Sequence, residues 1–236
     1  MNHVHRKSCS STQDLLIEDI KRSTGNYLQN PTLISTENQE TGRGRGKNQW
    51  VQFQNSLAFS IALKACEQVT LTSLEIGVLL VEYFQQHHNV KLALKWPNDL
   101  LTPECQKVGG IICHNTGGVI AVGIGINIQC VENFDENANF DYPHSFVKIK
   151  SEIEHPQKSV PLDIFNFILK NRKTCEQIIT KWNSYCCHLN KEIEVIDDAN
   201  KTCGNFLGIG EIGQAIVLPL SSKKPIEIYS GSLRIL

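Results

Sequence analysis

The chain has no run of 18 apolar residues, and nothing hydrophobic follows its start, Met1-Asn2-His3-Val4-His5-Arg6-Lys7. A membrane-spanning helix and a secretory signal are therefore not expected, and the expected location is cytoplasmic. Charge of one sign is also missing: 23 basic against 24 acidic side chains leave a net charge of −1. The wide basic face of a DNA- or RNA-binding protein is not expected, so any positive site must be local. Aromatic residues are only 7% of the chain and do not interleave with cations, which counts against a module that stacks RNA bases. Cysteine is present nine times but never as a CxxC pair; Cys186-Cys187 are adjacent and the other seven stand alone. An odd number of scattered cysteines without a secretory signal predicts reduced, mostly buried thiols and no structural zinc.

What is present is an ordinary apolar content, 41% of 236 residues, enough for one large domain with a small appendage. Ser10-Ser11-Thr12-Gln13-Asp14 before Leu15, Leu16, Ile17 and Ile20 predicts a hydroxyl-capped helix. Residues 31–36 are β-like. Residues 41–49 have no apolar side chain and predict a loop. Residues 57–65 predict a strand, and Thr72-Ser73-Leu74-Glu75 has the pattern of a capping box ahead of a helix over 76–87. Three short apolar runs follow at 90–96, 108–114 and 119–128, the last two joined by Asn115-Thr116-Gly117-Gly118 as a hairpin. Residues 133–161 are polar and irregular, 161–185 predict one helix, and from residue 192 five short β runs alternate with turns. Hairpin-joined strands leave no room for βαβ crossovers, so the expectation is an α+β fold: a mixed, mostly antiparallel sheet flanked by helices over residues 1–189, then a small β-barrel over 190–236.

Gly42-Arg43-Gly44-Arg45-Gly46-Lys47 alternates glycines with cations. Glycine frees successive N–H groups to turn toward one anion and the side chains add full charge, which suits a phosphate or carboxylate, although a solvated basic loop is the commoner meaning of such a stretch. It lacks the Gly-x-x-x-x-Gly-Lys-Ser/Thr pattern of a Walker loop. Lys95-Trp96-Pro97-Asn98-Asp99 is in isolation a proline turn closing a strand. Gly109-Gly110 in Lys107-Val108-Gly109-Gly110-Ile111, and the glycines of Gly123-Ile124-Gly125-Ile126-Asn127, place bare backbone inside apolar strands, a sign of close approach.

Taken in chain order, Ser-Thr-Gln, Gln39 with Gly-Arg-Gly-Arg, Lys-Trp-Pro-Asn-Asp, Lys-Val-Gly-Gly-Ile and Gly-Ile-Gly-Ile-Asn resemble the catalytic domain of biotin protein ligases across about residues 8–130. The resemblance implies a biotin–[biotin carboxyl-carrier protein] ligase with an SH3-like terminal barrel. Biotin and ATP, with Mg²⁺, give biotinyl-5′-AMP and pyrophosphate; biotin then passes to a lysine of a carrier protein such as that of acetyl-CoA carboxylase. No prosthetic group is implied. Thr12 stands so near the start that no winged-helix repressor domain, and hence no DNA partner, is expected, and a homodimer is left open.

By the same resemblance Ser11, Thr12, Gln13 and Gln39 belong to the biotin site, with Ser11, Thr12 and Gln39 serving its neutral ureido ring. Gly42, Arg43, Gly44 and Arg45 lie along the carboxylate and adenylate, Lys107 bridges carboxylate and α-phosphate, and Gly109 and Gly110 leave bare backbone for the ligand. Trp50 matches the position that stacks on adenine. Lys47, Lys95, Asn98, Asp99 and Asn127 fall on the nucleotide side, Asp99 as a candidate Mg²⁺ contact. Lys107, Arg45 and Arg43 are the catalytic candidates. The sequence departs from the family pattern at Gln13, where asparagine is usual, at Lys47-Asn48-Gln49, after Trp50, and at Ile112-Cys113-His114, which lacks a frequent glutamate. The rival within the fold is a lipoate or octanoyl ligase or transferase; outside it, a non-catalytic anion- or RNA-binding module.

Overall fold

The structure, a computed structural model, describes residues 2–22, 27, 30–46, 48–50, 56–128, 145–149, 153, 155–197 and 200–236. In chain order these form β1 (Asn2–Cys9), α1 (Thr12–Arg22), β2 (Thr32–Gln39), β3 (Gly42–Arg43), β4 (Gln49–Trp50), β5 (Leu57–Lys64) and α2 (Thr72–His88). Then come β6 (Ala93–Lys95), β7 (Asp99–Leu101), β8 (Lys107–Thr116), β9 (Val119–Ile126), α3 (Pro156–Lys170) and α4 (Cys175–Tyr185). The chain ends with β10 (Glu192–Asp197), β11 (Asn200–Ile209), β12 (Ala215–Pro219), β13 (Ile226–Ile228) and β14 (Ser232–Ile235).

Seven strands make one sheet in the order β1-β2-β5-β9-β8-β7-β6. Only β1 and β2 run parallel; the other neighbours are antiparallel, so the fold is the expected mixed, mostly antiparallel α+β type. The β8–β9 hairpin turns through Gly117 and Gly118, whose φ angles of 60° and 88° are those glycine adopts without strain. β5 buries every residue except Lys64, and β9 is buried along most of its length. α2 carries twelve buried residues over the sheet, which explains why apolar side chains fill it nearly all round.

Three expectations are corrected. β1 was not foreseen: as an edge strand with one aliphatic residue, Val4, it carries no alternating signal. The segment 161–185 is two helices broken near 171–174, and the true capping box lies there, with the Thr174 hydroxyl accepting from Gln177 N and Gln177 Oε1 accepting from Thr174 N. Thr72 and Glu75 form no such box. Thr72 is already helical and its hydroxyl accepts from Cys66 N at 3.3 Å. Fully buried Glu75 receives both arms of Arg172 at 2.8 Å and the Lys173 N–H at 2.8 Å. The irregular excursion at 133–161 lies largely outside the described residues.

β10 to β14 form a separate five-stranded antiparallel sheet, ordered β13-β12-β11-β10-β14, as a small barrel-like unit requires. Its apolar face does not stand alone. Ile193, Phe206, Val217 and Leu233 share one continuous core with Trp182 of α4 and the helices over the large sheet. The thiols are also more exposed than expected: Cys66 is buried, Cys113 is exposed and the other described cysteines are half-buried, all unpaired; Cys130 lies outside the described residues. Among the described residues no helix is long and apolar enough to cross a membrane.

Candidate active site

A cavity of about 150 Å³ lies between the large sheet, the start of α1, the β3–β4 hairpin and β14. Its inner end is polar but uncharged. Ser11 caps α1, its Oγ accepting from Asp14 N at 3.3 Å. Thr12 donates its N–H (2.8 Å) and its hydroxyl (3.1 Å) to Gln39 Oε1, and its Oγ1 lies 3.0 Å from Ser60 Oγ. Gln13 donates through Nε2 to Ala121 O at 2.9 Å. Ser11, Thr12, Gln13 and Ser60 are all buried, a cost that neutral hydroxyls and amides bear more easily than charges.

The other end is ionic. Lys107 Nζ is 2.7 Å from Asp99 Oδ1 and Lys95 Nζ is 3.0 Å from Asp99 Oδ2. Burial pushes the Asp99 carboxyl up, but Lys107 and Lys95 outweigh it and hold it below the usual carboxylate range. Two ammonium groups on one carboxylate leave a net positive charge at the cavity wall, with Lys107 the more exposed of the two. Asp99 sits at the start of β7, directly after Pro97 and Asn98. Asn98 spends its side chain on the sheet, donating to Ile111 O at 2.8 Å, while still lining the cavity.

The Gly-Arg segment is a small hairpin rather than an open loop, with Gly42 opposite Trp50 and Arg43 opposite Gln49. Arg43 Nε donates to Asp14 Oδ2 at 2.8 Å, tying the hairpin to α1. Arg45 Nη2 donates to Gly231 O at the entry to β14. Burial works against the charge of Arg45, and the Asp99 and Asp197 carboxylates support it. A second recess of about 940 Å³ shares Gln13, Arg43, Gly44 and Arg45 with the first and also takes in Gly42. Trp50 lies flat on Gly125: a β-carbon there would collide with its indole ring.

Ser11, Thr12, Gln13, Gln39, Arg43, Gly44, Arg45, Trp50, Lys95, Asn98, Asp99, Lys107 and Gly110 all line this one cavity. Gly109 and Asn127 do not line the cavity. Gly109 is bare because a β-carbon would run into the Gly125 carbonyl of the next strand. Asn127 accepts from Ser56 Oγ and donates to Ser145 O, both at 3.4 Å, and so anchors the segment 145–149. Lys47 lies outside the described residues. Sequence reasoning missed Ser60, Trp96, Ser232 and Leu233. A lone hydroxyl in the buried strand Leu57–Lys64 was a signal for Ser60; nothing local announced Ser232. Asp99, whose two oxygens already face lysines, is a poor magnesium ligand, and among the described residues no three His, Cys, Asp or Glu side chains are grouped to hold a metal.

A mixed, mostly antiparallel sheet with helices on it and, among the described residues, a cavity with a neutral and a cationic end mark an α+β domain built around a small-molecule site. Residues 6–130, more than half the chain, match the Biotin/lipoate A/B protein ligase family, and the chain belongs to that family. Its relatives include human biotin–protein ligase, 26% identical over 109 residues, and biotin–protein ligase 1, chloroplastic, of Arabidopsis thaliana, 29% identical over 134. Those stretches cover 41% and 51% of this chain but only 15% and 34% of the relatives' own lengths. Over the whole chain, the structure is similar to the biotin protein ligase of Aquifex aeolicus in complex with biotin and ATP, with a TM-score of 0.80, 26% identity and coverage of 100% and 99%. The Helicobacter pylori biotin acetyl coenzyme A carboxylase synthetase shares the fold at a TM-score of 0.70 and 21% identity, covering 96% and 99%.

Proposed function

We propose that this protein is a biotin protein ligase that activates biotin with ATP and transfers it to a lysine of a carrier protein. The observation that carries this is the polarity of the cavity. Buried Ser11, Thr12 and Ser60 with half-buried Gln39 form a charge-free end suited to a ureido ring, and the Lys95–Asp99–Lys107 cluster forms a cationic end. The far end of a lipoyl or octanoyl chain, a dithiolane ring or a methyl group, has no N–H or carbonyl to satisfy the first of these.

In the first step a biotin carboxylate oxygen bonds to the α-phosphorus of ATP and the bond to the β-phosphate bridging oxygen breaks, releasing pyrophosphate. Bringing a carboxylate to a phosphate 4 Å away costs about 4 kcal/mol per charge pair at an effective dielectric of 20. Lys107 and Arg45 offset that repulsion; Arg43 adds to the field from the hairpin. Lys95 is too buried to travel and acts through Asp99, which aims Lys107. In the second step the amine of the carrier lysine attacks the acyl carbon, the bond to the phosphate oxygen breaks, AMP leaves and the new amide nitrogen sheds a proton. Trp50 and the hairpin cover the anhydride and keep water from the same carbon. Magnesium fits this scheme as a passenger on the triphosphate rather than a resident of the protein.

The segment 190–236, on this proposal an SH3-like barrel appended to the catalytic domain 1–189, closes the cavity through Ser232 and Leu233. The cytoplasm, where carrier and ATP meet, is its place of action. The test is exchange of labelled pyrophosphate into ATP. Biotin-dependent exchange supports the reading; exchange that depends on lipoate, or on neither acid, rejects it.

A further inference from the structure

The terminal sheet reaches toward the cationic end of the cavity through a buried side chain of the large sheet, Trp96. Its indole is 2% exposed and lines the cavity, and its Nε1 donates to Gly213 O at 3.0 Å. An indole N–H can only donate, so a buried one needs an acceptor, and here the acceptor belongs to the turn between β11 and β12. That turn is braced from within. Gly213 N donates to Gly210 O at 2.9 Å, Gly210 N to Gln214 O at 2.8 Å and Ile212 N to Gln214 Oε1 at 3.1 Å. It is also tied to the helices: Thr70 Oγ1, in the short helical turn Val69–Leu71 before α2, donates to Ile212 O at 2.6 Å. Gly213, at a φ of 85°, packs so closely on Leu74 that a β-carbon would come within 2.8 Å of that side chain.

Trp96 stands in the turn that leads β6 into β7 and sets Lys95 opposite Asp99. On its other side Asn98 ties the same turn to β8, its carbonyl accepting from Ile111 N at 2.9 Å and its side chain donating to Ile111 O at 2.8 Å. The turn is thus fixed at β8 and at the terminal sheet, and Asp99, which aims Lys107, leaves it directly. We propose that Trp96 is a positioning residue: through its bond to Gly213 O, the terminal sheet holds the Lys95–Asp99–Lys107 cluster in register with the reacting phosphate. This rests on the proposed function and extends it, because the turn 210–214 would then govern the rate without lining the cavity. A carboxylate and a phosphate brought together demand cations at fixed places, and a displacement of about 1 Å at a reacting centre can cost about 10²-fold in rate.

The experiment measures kcat for pyrophosphate exchange at saturating biotin and ATP, together with the biotin dissociation constant by calorimetry. It compares the wild type with Trp96→Phe, Thr70→Val, Gly213→Ala and the double variant Trp96→Phe/Gly213→Ala. Trp96→Phe keeps a ring and loses the donor, and its kcat should fall about tenfold or more. Thr70→Val, outside the cavity, frees one tie of the turn and should lower kcat about threefold. Gly213→Ala should match Trp96→Phe, and the double variant should be no slower than the slower single one, since both break the same connection. Biotin affinity should stay within about twofold of the wild type in all four, because the neutral end of the cavity is built on α1, β2 and β5. Wild-type kcat in Trp96→Phe or in Thr70→Val, or losses that multiply in the double variant, would overturn the role of Trp96 while leaving a biotin ligase standing. So would biotin affinity that falls in step with kcat, the mark of a general loosening. A wild type without biotin-dependent exchange overturns both this role and the proposed function.

Discussion

Lys107 and Lys95 are chemically identical and share one carboxylate, yet burial gives them different tasks. Lys95 is 6% exposed and Asp99 nearly as enclosed, whereas Lys107 reaches solvent. Lys107→Ala removes a charge that the fold can spare, because Lys95 still neutralises Asp99. We expect pyrophosphate exchange to fall roughly 10²- to 10³-fold, as on loss of a group that stabilises transition-state charge, with the free energy of urea unfolding changed by less than about 1 kcal/mol. Asp99→Ala strands Lys95 as a buried cation, so stability should drop by about 3 kcal/mol together with the rate. Equal loss of stability in both variants would remove the distinction. The same three residues show what a sequence can reveal. Lys-Trp-Pro-Asn-Asp and Lys-Val-Gly-Gly-Ile were legible as motifs, and the local β6–β7 turn sets Lys95 opposite Asp99, but the second pairing, Asp99 with Lys107, depends on β7 lying beside β8, which no local pattern states.

At the scale of elements, the β3–β4 hairpin is held at two points by its arginines reaching distant parts of the chain, Arg43 to the Asp14 carboxylate and Arg45 to the Gly231 carbonyl. Arg45→Gly removes the second tie and a cation together. The expected result is weaker retention of the adenylate, read as biotin appearing on proteins other than the carrier; labelling confined to the carrier at undiminished adenylate affinity would contradict it. The helices supply a second case. Glu75 is fully buried at the start of α2 and depends on Arg172, which lies between α3 and α4 and is partly open to water. Arg172→Ala should cost about 2–3 kcal/mol in urea unfolding, below the full penalty for a broken buried pair because water reaches the arginine side, while Glu75→Leu with Arg172→Met should recover most of it. A single variant as stable as the double would show that the pair is idle. Sequence spacing mistook Glu75 for a capping residue because Thr-x-x-Glu looks the same whether the glutamate turns back to the helix end or inward to an arginine 97 residues away. α1, the β8–β9 hairpin and the five terminal strands were legible because each is decided by its own periodicity or turn residues; β1 was not, since an edge strand owes its form to the neighbour it pairs with.

Over the whole molecule, the large sheet and the terminal sheet are joined by packing that must exclude charge, and His188 stands in that joint. Its ring is fully buried 4.3 Å from the Phe206 ring and 6.1 Å from that of Trp182. Nδ1 lies 3.3 Å from Cys186 Sγ and 3.7 Å from Cys187 Sγ, and Nε2 has no partner among the described residues. Burial, with Lys95 and Lys191 adding to it, pulls its pKa from the ordinary 6.5 down to about 3. The folded value therefore lies below the unfolded one. Above pH 6.5 both states are neutral and the contribution is fully present; between pH 6.5 and about 3 the unfolded chain takes up a proton that the folded chain refuses, and stability falls. At pH 4.5 the loss should be about 2–3 kcal/mol, at 1.36 kcal/mol per unit below 6.5. His188→Leu keeps an apolar side chain against Phe206 and has nothing to protonate, so its stability relative to the wild type should rise by that amount between pH 7.5 and 4.5. Urea midpoints at the two pH values read this directly, and parallel profiles for the two proteins would mean that His188 is charged in the fold and the joint between the sheets is wet.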